Sequence, residues 1–457
     1  MGKLHWTLED LKRELNSHPL IKGWSVTQDH VHRRERYFLA ENSHLIIDQD
    51  RNVKIKNIFL KIMVRVPQSN RQGELSKKLF PSLELNAQIE AAVDAALQTN
   101  HQAWELSKTA PQSLPQVLTT DPNMAEDLNG IMNELSERIS KQIKKKRKSK
   151  FNSAELFLSL HDRELHLSNG LIHRSSQSRI YTEAAFSAEG LSAAGAPISD
   201  EYLNASWAVH LNQLPIEEIF DQAAEHAEHS LEVIKPITGI YSVIIDAEVL
   251  STLLNGFISQ LSAANAYHGL PFIQTHHPLI PDATGDLLSI ALDPTLDYGA
   301  DTTAVSNQGL PQKPLLLVSN NQVLNTATDQ QYGDYLGTQP NTVRGSLVVS
   351  PGGLSHEQLT QASPIVIEIL QFSGLFADPN SGTFSSEIRL ARLYNNQEKT
   401  VIYLKGGSLS GSLRENFRRL KLSSATVHRA HFSSDQQTGQ GYFGPKYALL
   451  SEVSIVG

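Results

Sequence analysis

The sequence predicts a mixed α+β protein, in which an amino-terminal α+β region with a β-meander precedes a β-rich carboxy-terminal domain. Apolar residues recur at helical spacing in several segments and at alternate positions in others. After residue 239, short apolar runs are divided by Gly and Pro, which is typical of many short strands. A chain of 457 residues is too long for one ordinary core, and we expect domains at residues 1–110, 111–236 and 237–457.

The first predicted helix begins at Thr7, whose hydroxyl can cap the free amides of the first turn. Leu8, Leu11 and Leu15 then fall on one face, and Asp10 has the spacing of a capping box. Further on, residues 58–66 alternate as a strand does, and residues 85–97 place Leu85, Ile89 and Val93 on one helical face.

A connector rich in Ser, Pro, Gln and Thr is predicted between Gln102 and Thr120. Asp121 and Pro122 then start one long helix, which ends in the basic run Lys144 to Lys150. The cations of this run favour the negative end of the helix dipole, so a solvated helix end is the simpler interpretation. An anionic partner is the alternative.

The next segment, residues 154–187, predicts a β-meander with a turn at Ser168-Asn169-Gly170. Pro215 opens another helix, which Pro236 ends. A strand at residues 241–245 and a helix that carries Asn255 and Gln260 begin the carboxy-terminal domain.

Composition excludes several classes of protein. The formal net charge of −8 disfavours broad affinity for nucleic acid, and the lack of cysteine excludes disulfides and thiolate chemistry. We expect no membrane association, because the sequence has neither a signal-peptide core nor a long apolar run, and a cytoplasmic protein follows by default.

Side chains that could carry chemistry are few. His226 and His229 are three residues apart, but the apolar stripe of their helix predicts that both lie on the solvated face. Ser385 and Ser386 lack a nucleophile elbow, and the glycine pairs at 352–353 and 406–407 lack the sequence of a phosphate loop.

A series of short segments resembles the TldD/PmbA family, and their shared order over most of the chain carries the resemblance. They are Leu167 to Leu171, Asn307 to Pro311, Asn341 to Arg344, Val348 to Ser355, Gly382 to Ser385, Tyr394 to Glu398 and Gly406 to Leu409. The resemblance implies a β-rich domain of the TldD/PmbA type. In the TldD branch, an HExxxH helix and a later cysteine hold zinc, and the PmbA (TldE) branch lacks these groups and pairs with TldD.

In this chain the histidine positions fall at Asn255 and Gln260, Gly256 replaces the glutamate, and the cysteine position falls near Gln440. Amides are poor zinc ligands. The resemblance therefore implies a PmbA-like subunit without metal or cofactor, with zinc only in a TldD-like partner subunit.

An extended peptide substrate is implied as well, and it could add a strand to an exposed sheet edge. A homodimer stays open beside the pairing with a TldD-like subunit. Two other functions also stay open. One is a peptidase with a metal site rebuilt from His268, His276 or His277 with Asp282 or Asp286, and the other is an adaptor for anionic partners that uses Lys144 to Lys150.

Overall fold

The computed structural model describes residues 6–41, 44–107, 113–191, 195–433 and 438–457. Its helices are α1 (Leu8–Ser17), α2 (Leu85–Leu97), α3 (Pro122–Glu126), α4 (Leu128–Ile143), α5 (Ile216–His229), α6 (Ala247–Gln260), α7 (Ala263–His268), α8 (Gln330–Leu336), α9 (His356–Thr360) and α10 (Leu413–Asn416). The amino-terminal strands are β1 (Ile21–Glu41), β2 (His44–Arg65), β3 (Arg71–Leu79), β4 (His101–Gln102), β5 (Lys150–Leu167), β6 (Ile172–Leu191) and β7 (Pro197–Ala208).

The later strands are β8 (Val233–Ile234), β9 (Gly239–Asp246), β10 (Ile290–Asp293), β11 (Leu315–Ser319), β12 (Gln322–Val323), β13 (Ser346–Val349), β14 (Ile365–Asp378), β15 (Thr383–Asn395), β16 (Thr400–Leu404), β17 (Ser408–Ser412), β18 (Lys421–Leu422), β19 (Thr426–Phe432), β20 (Gly439–Pro445) and β21 (Tyr447–Val456). This confirms the α+β class. No helix in the described ranges has the length and apolar composition needed to cross a bilayer.

Helix α1 has the predicted capping box: Asp10 N–H donates to the Thr7 hydroxyl at 3.1 Å, and Thr7 N–H donates to the Asp10 carboxylate at 2.9 Å. Leu11 and Leu15 of this helix are buried in a cluster that also contains Ile89 of α2. Helix α2 has the predicted bounds. Local spacing therefore determines both helices, and burial of their apolar faces holds them on the sheet.

The long helix predicted after Asp121 is wrong, because α3 and α4 are separate helices. Asp127 lies between them with φ −143° and ψ 81°, and its carboxylate accepts a 2.8 Å hydrogen bond from Gly130 N–H. A short acidic side chain that bonds to nearby backbone amides ends one helix and caps the next.

One sheet contains strands from both halves of the chain. In the described residues it has thirteen strands in the order β12-β11-β10-β13-β20-β19-β7-β6-β5-β1-β2-β3-β4. The meander β5 to β7 confirms the predicted strands, and Gly170 supplies the positive φ of 90° in the turn that follows β5. The two halves of this sheet meet where β7 pairs with β19, through Trp207 and Ala430 alone among the described residues.

A second sheet closes on itself in the carboxy-terminal half. Strand β14 pairs with β9, β9 with β21, β21 with β17, β17 with β15, and β15 with β14 again, so these five strands form a barrel. Helix α6 packs against β9, β14 and β21, and its Leu250, Leu254 and Phe257 join the apolar cluster of the barrel. The barrel therefore fixes the position of α6, the helix that carries Asn255 and Gln260.

Candidate functional site

A cavity of about 930 Å³ lies between α6, α5 and the junction of β7 with β19. We call it the α6 cavity. Its lining includes Asp246, Glu248, Ser251 and Asn255 of α6 and its amino-terminal cap, Gln222 and His226 of α5, Asn204 to Trp207 of β7, Arg429 to His431 of β19, and Gln440 and Tyr442 of β20. The volume lies within the range of about 300–1,000 Å³ that is typical of ligand sites.

Two carboxylates stand at the amino-terminal end of α6. Asp246 caps the helix, because its Oδ1 accepts a 2.9 Å hydrogen bond from Val249 N–H. Both carboxylates reach the solvent of the cavity but are surrounded by protein. Burial raises the pKa of Asp246 and of Glu248, and for Glu248 the charge of Asp246 adds to this rise while Arg429 opposes it.

A third carboxylate, Asp301, lies at the rim and forms an ion pair with Arg344 at 3.3 Å. Burial raises the pKa of Asp301 to about 6, even though Arg344 lowers it. Lys446 and Glu218, which also line the cavity, pair at 2.8 Å. The wall of the cavity therefore carries both signs of charge.

His226 contradicts the prediction that both histidines of α5 lie on the solvated face. It lines the α6 cavity, and its ring meets that of Tyr202 edge-on at 6.1 Å. Burial, followed by the charge of Arg392, lowers the pKa of His226 to about 4, so the imidazole is neutral at pH 7. Strand β7 and the barrel pack over this face of α5. Helical periodicity within α5 cannot predict burial by such distant elements.

The fold and the sequence can now be compared with known proteins. The family model of the PmbA/TldA metallopeptidase C-terminal domain matches residues 238–457. Residues 238–457 are therefore similar to the carboxy-terminal domain of the PmbA/TldD family. No curated protein gives a significant sequence match.

Solved structures share the fold over nearly the whole chain. TldE from Thermococcus kodakarensis has a TM-score of 0.77 and 15% identity, and the match covers 98% of this chain and 100% of that one. A proposed modulator of DNA gyrase from Bacteroides thetaiotaomicron has a TM-score of 0.74 and 16% identity, with 98% of both chains covered. A second such protein, from Thermotoga maritima, has a TM-score of 0.72 and 18% identity, with 99% and 100% covered.

The structure places the four positions that the PmbA/TldD resemblance implies in different surroundings. Asn255 and Gln440 line the α6 cavity. Gln260 is 3% exposed and points instead to the turn after β14, where its Nε2 donates a 2.6 Å hydrogen bond to the Pro379 carbonyl oxygen. Residues five apart on an α-helix are about 140° apart around its axis, so Asn255 and Gln260 leave α6 in different directions.

The residues at these positions do not fit a zinc ion. Asn255, Gln260 and Gln440 offer amides, which bind zinc poorly, and Gly256 has no side chain. Within the described ranges, no group of three or more His, Cys, Asp or Glu side chains could hold a metal ion.

The histidines of the alternative metal site have separate neighbours. His268 Nε2 lies 3.0 Å from the Tyr332 hydroxyl, and His277 Nδ1 lies 3.3 Å from the Thr275 carbonyl oxygen. His276 has a positive φ of 65°. Asp286 Oδ2 accepts a 2.7 Å hydrogen bond from Leu422 N–H. The structure therefore does not favour a metal site rebuilt from these residues.

The basic run lies against α5. Asp221 binds Lys145 Nζ and Arg147 Nη2, each at 2.7 Å. Glu228 accepts 2.9 Å hydrogen bonds from the backbone amides of Lys148 and Ser149. Acidic residues of α5 therefore account for part of this positive charge, and Arg147 is packed against the protein and is not solvated.

Sequence reasoning missed most of the α6 cavity. Asp246, Glu248, His226 and Arg429 come from three elements that are distant in sequence. One local feature of the sequence could have indicated this cavity. Asp246 and Glu248 stand at the start of an apolar helix, where acidic residues mark the helix amino terminus and can form a polar site.

Proposed function

We propose that this chain is a non-catalytic, PmbA/TldE-like subunit that pairs with a TldD-type zinc metallopeptidase and helps present an unfolded peptide to it. One observation carries the proposal: a cavity of about 930 Å³ lies beside α6, while Asn255, Gly256 and Gln260 stand where the resemblance implies the groups of a zinc helix. A site that binds without chemistry needs shape and hydrogen-bonding groups, but not a group that activates water.

The gap between β7 and β19 supports a peptide as the ligand. In the part of the chain that the structure describes, these strands pair only through Trp207 and Ala430. Asn204 to Trp207 and Arg429 to His431 both line the α6 cavity. A peptide in extended conformation can add to strand edges through backbone hydrogen bonds, which require no particular side chain. The charges of Asp246, Glu248 and Arg429 can then orient the peptide.

The first test is reconstitution. The full-length chain, a TldD-type relative that keeps the HExxxH helix, and their mixture are assayed separately with an unstructured peptide, with and without a chelator. We expect the two proteins to co-elute. We also expect the mixture to cleave the peptide faster than either protein alone, and the chelator to abolish this cleavage. Chelator-sensitive cleavage by this chain alone, at a rate that follows its own concentration, would overturn the proposal.

The second test examines the cavity. Arg429→Gln removes a charge from the α6 cavity, whereas Arg418→Gln removes one that pairs with Glu415 outside it. We expect slower cleavage by the mixture with Arg429→Gln and unchanged cleavage with Arg418→Gln. Hydrogen exchange should show that peptide protects amides of β7 and β19, and unchanged exchange in both strands would count against peptide binding there.

A further inference from the structure

A second cavity, of about 410 Å³, lies beside the amino-terminal strands of the large sheet. We call it the Arg163 cavity. Its lining includes Asp29 of β1, His161 and Arg163 of β5, His173 and Arg179 of β6, and Val305 and Leu310 of the segment before β11. Asp301 and Arg344 line both this cavity and the α6 cavity, so the two are neighbours.

The floor of the Arg163 cavity is polar and buried. Asp29 is 2% exposed, His161 is 5% exposed and Arg179 is 7% exposed. His161 Nδ1 lies 3.7 Å from Asp29 Oδ1. Burial alone would raise the pKa of Asp29, but His161, Arg163 and Arg179 outweigh it and lower the pKa, so the carboxylate is charged. Buried charges are costly in a merely structural wall, so the buried carboxylate of Asp29 and the buried guanidinium of Arg179 at one cavity indicate a binding surface.

Arg163 differs from the other cations around this cavity. Lys61 pairs with Glu74 at 3.1 Å, and Arg344 pairs with Asp301 at 3.3 Å. The half-buried guanidinium of Arg163 has no hydrogen bond or ion pair with any residue that the structure describes. His173 Nε2 is also buried without a hydrogen-bond partner in the described residues. Both groups can donate a hydrogen bond to an anion that enters the cavity.

The rest of the wall of the Arg163 cavity consists of apolar side chains and a side-chain amide. Trp104, Leu165, Val305 and Leu310 contribute apolar surface, and Gln308 contributes an amide. A ligand that fits both walls has a carboxylate at one end and a compact apolar group next to it. A guanidinium binds a carboxylate through two parallel hydrogen bonds, so the apolar group would then lie against the leucine and tryptophan side chains.

We propose that the Arg163 cavity binds a small carboxylate with an adjoining apolar group, and that Arg163 is its principal contact. The carboxylate can belong to a free N-acylated amino acid or to the carboxyl terminus of a short peptide. This binding requires neither a partner subunit nor the α6 cavity, so its failure would leave the proposed function untouched.

Calorimetric titration of the full-length chain tests the proposal with N-acetyl-leucine, N-acetyl-Ala-Ala-Leu and the carboxamide of that tripeptide. We expect at least one carboxylate to bind and the carboxamide to bind about tenfold more weakly or not at all. Binding of N-acetyl-leucine would identify a free acid as sufficient, and binding of the tripeptide alone would identify a peptide terminus. Equal binding of acid and amide, or no binding of either acid, would overturn the proposal.

Variants locate the site. Arg163→Gln should weaken carboxylate binding about tenfold or more, and Arg163→Lys should weaken it less because the charge is kept. Arg174→Gln is the matched control, because Arg174 is highly exposed, pairs with Glu164 and lies outside the cavity lining. Equal affinities of Arg163→Gln and Arg174→Gln would overturn the assignment, and thermal unfolding of each variant verifies that it is folded.

Discussion

The side-chain amide of Gln260 donates a 2.6 Å hydrogen bond to the carbonyl oxygen of Pro379 and ties the last residue of α6 to the turn between β14 and β15. The resemblance to the TldD/PmbA family implies that the second zinc-binding histidine of the TldD branch stands at this position. Here the residue connects a helix to the barrel, so its role in this chain is structural.

Replacing Gln260 with Ala should lower the free energy of unfolding by about 2 kcal/mol, because it leaves the Pro379 carbonyl without its donor and opens a cavity. Urea denaturation measures the loss. Ser259→Ala on the same helix is the control and should change stability by less than about 0.5 kcal/mol. A loss from Gln260→Ala no larger than that of the control would contradict the structural role.

A glutamate at Gly256, where the resemblance implies the glutamate of a zinc helix, should destabilise this protein. A Cβ atom at Gly256 would lie 3.1 Å from Leu413 Cδ1 and 3.6 Å from Pro379 Cα, so the position faces packed side chains. Gly256→Glu should therefore cost about 3 kcal/mol, because a charged side chain enters an apolar contact. Gly256→Ala should stay within about 1 kcal/mol of wild type in the same thermal or urea measurements. Wild-type stability of Gly256→Glu would show that this face of α6 is open.

The stability of the protein should depend on pH through Asp301, whose side chain is 12% exposed. Burial raises the pKa of Asp301 to about 6 from 3.8, so the folded state favours the protonated carboxyl. The protonated Asp301 carboxyl contributes fully to the free energy of unfolding below about pH 4, and this contribution is lost as the pH rises through about 6. The free energy of unfolding of Asp301→Asn, taken relative to that of wild type, should therefore rise by about 2 to 3 kcal/mol as the pH is raised from about 4 to about 7.5. Urea denaturation across this range measures the difference, and a flat difference would contradict the raised pKa.

Arg147 of the basic run should matter for folding, whereas its neighbour Lys144 should not. The Arg147 side chain is 7% exposed, binds Asp221 at 2.7 Å and lies 5.2 Å from the ring centroid of Phe186. Arg147→Met should cost about 2 kcal/mol, because it leaves Asp221 with fewer partners and removes the contact with the ring. Lys144→Met, at an exposed position, should cost less than about 0.5 kcal/mol. Equal losses in urea denaturation would contradict this assignment.

Much of the local structure could be predicted from the sequence because it depends on neighbours along the chain. Thr7 and Asp10 form a capping box at the predicted spacing, and α2 occupies the predicted residues. The break at Asp127 also has a local cause, since Asp127 lies three residues before Gly130, whose amide it caps. The apolar periodicity that continues across the break outweighed this signal in the prediction.

Contacts between distant segments could not be predicted in this way. The pairing of Trp207 with Ala430 joins strands from opposite halves of the chain, and no local pattern specifies that register. His226 is covered by such distant strands, and Arg163 lies at a cavity that residues from β1, β5, β6 and the segment before β11 create together. The candidate sites therefore depend on topology, whereas their helices depend on local spacing.

The pairing of β7 with β19 has a consequence for how the protein is made. A ribosome completes β7 long before it reaches β19, so the outer edge of β7 has no neighbouring strand until β19 has been made. Unpaired strand edges attract other strands, including those of other nascent chains. The two parts of the large sheet can therefore join only after β19 has been made, and until then the free edge of β7 is exposed to misassociation.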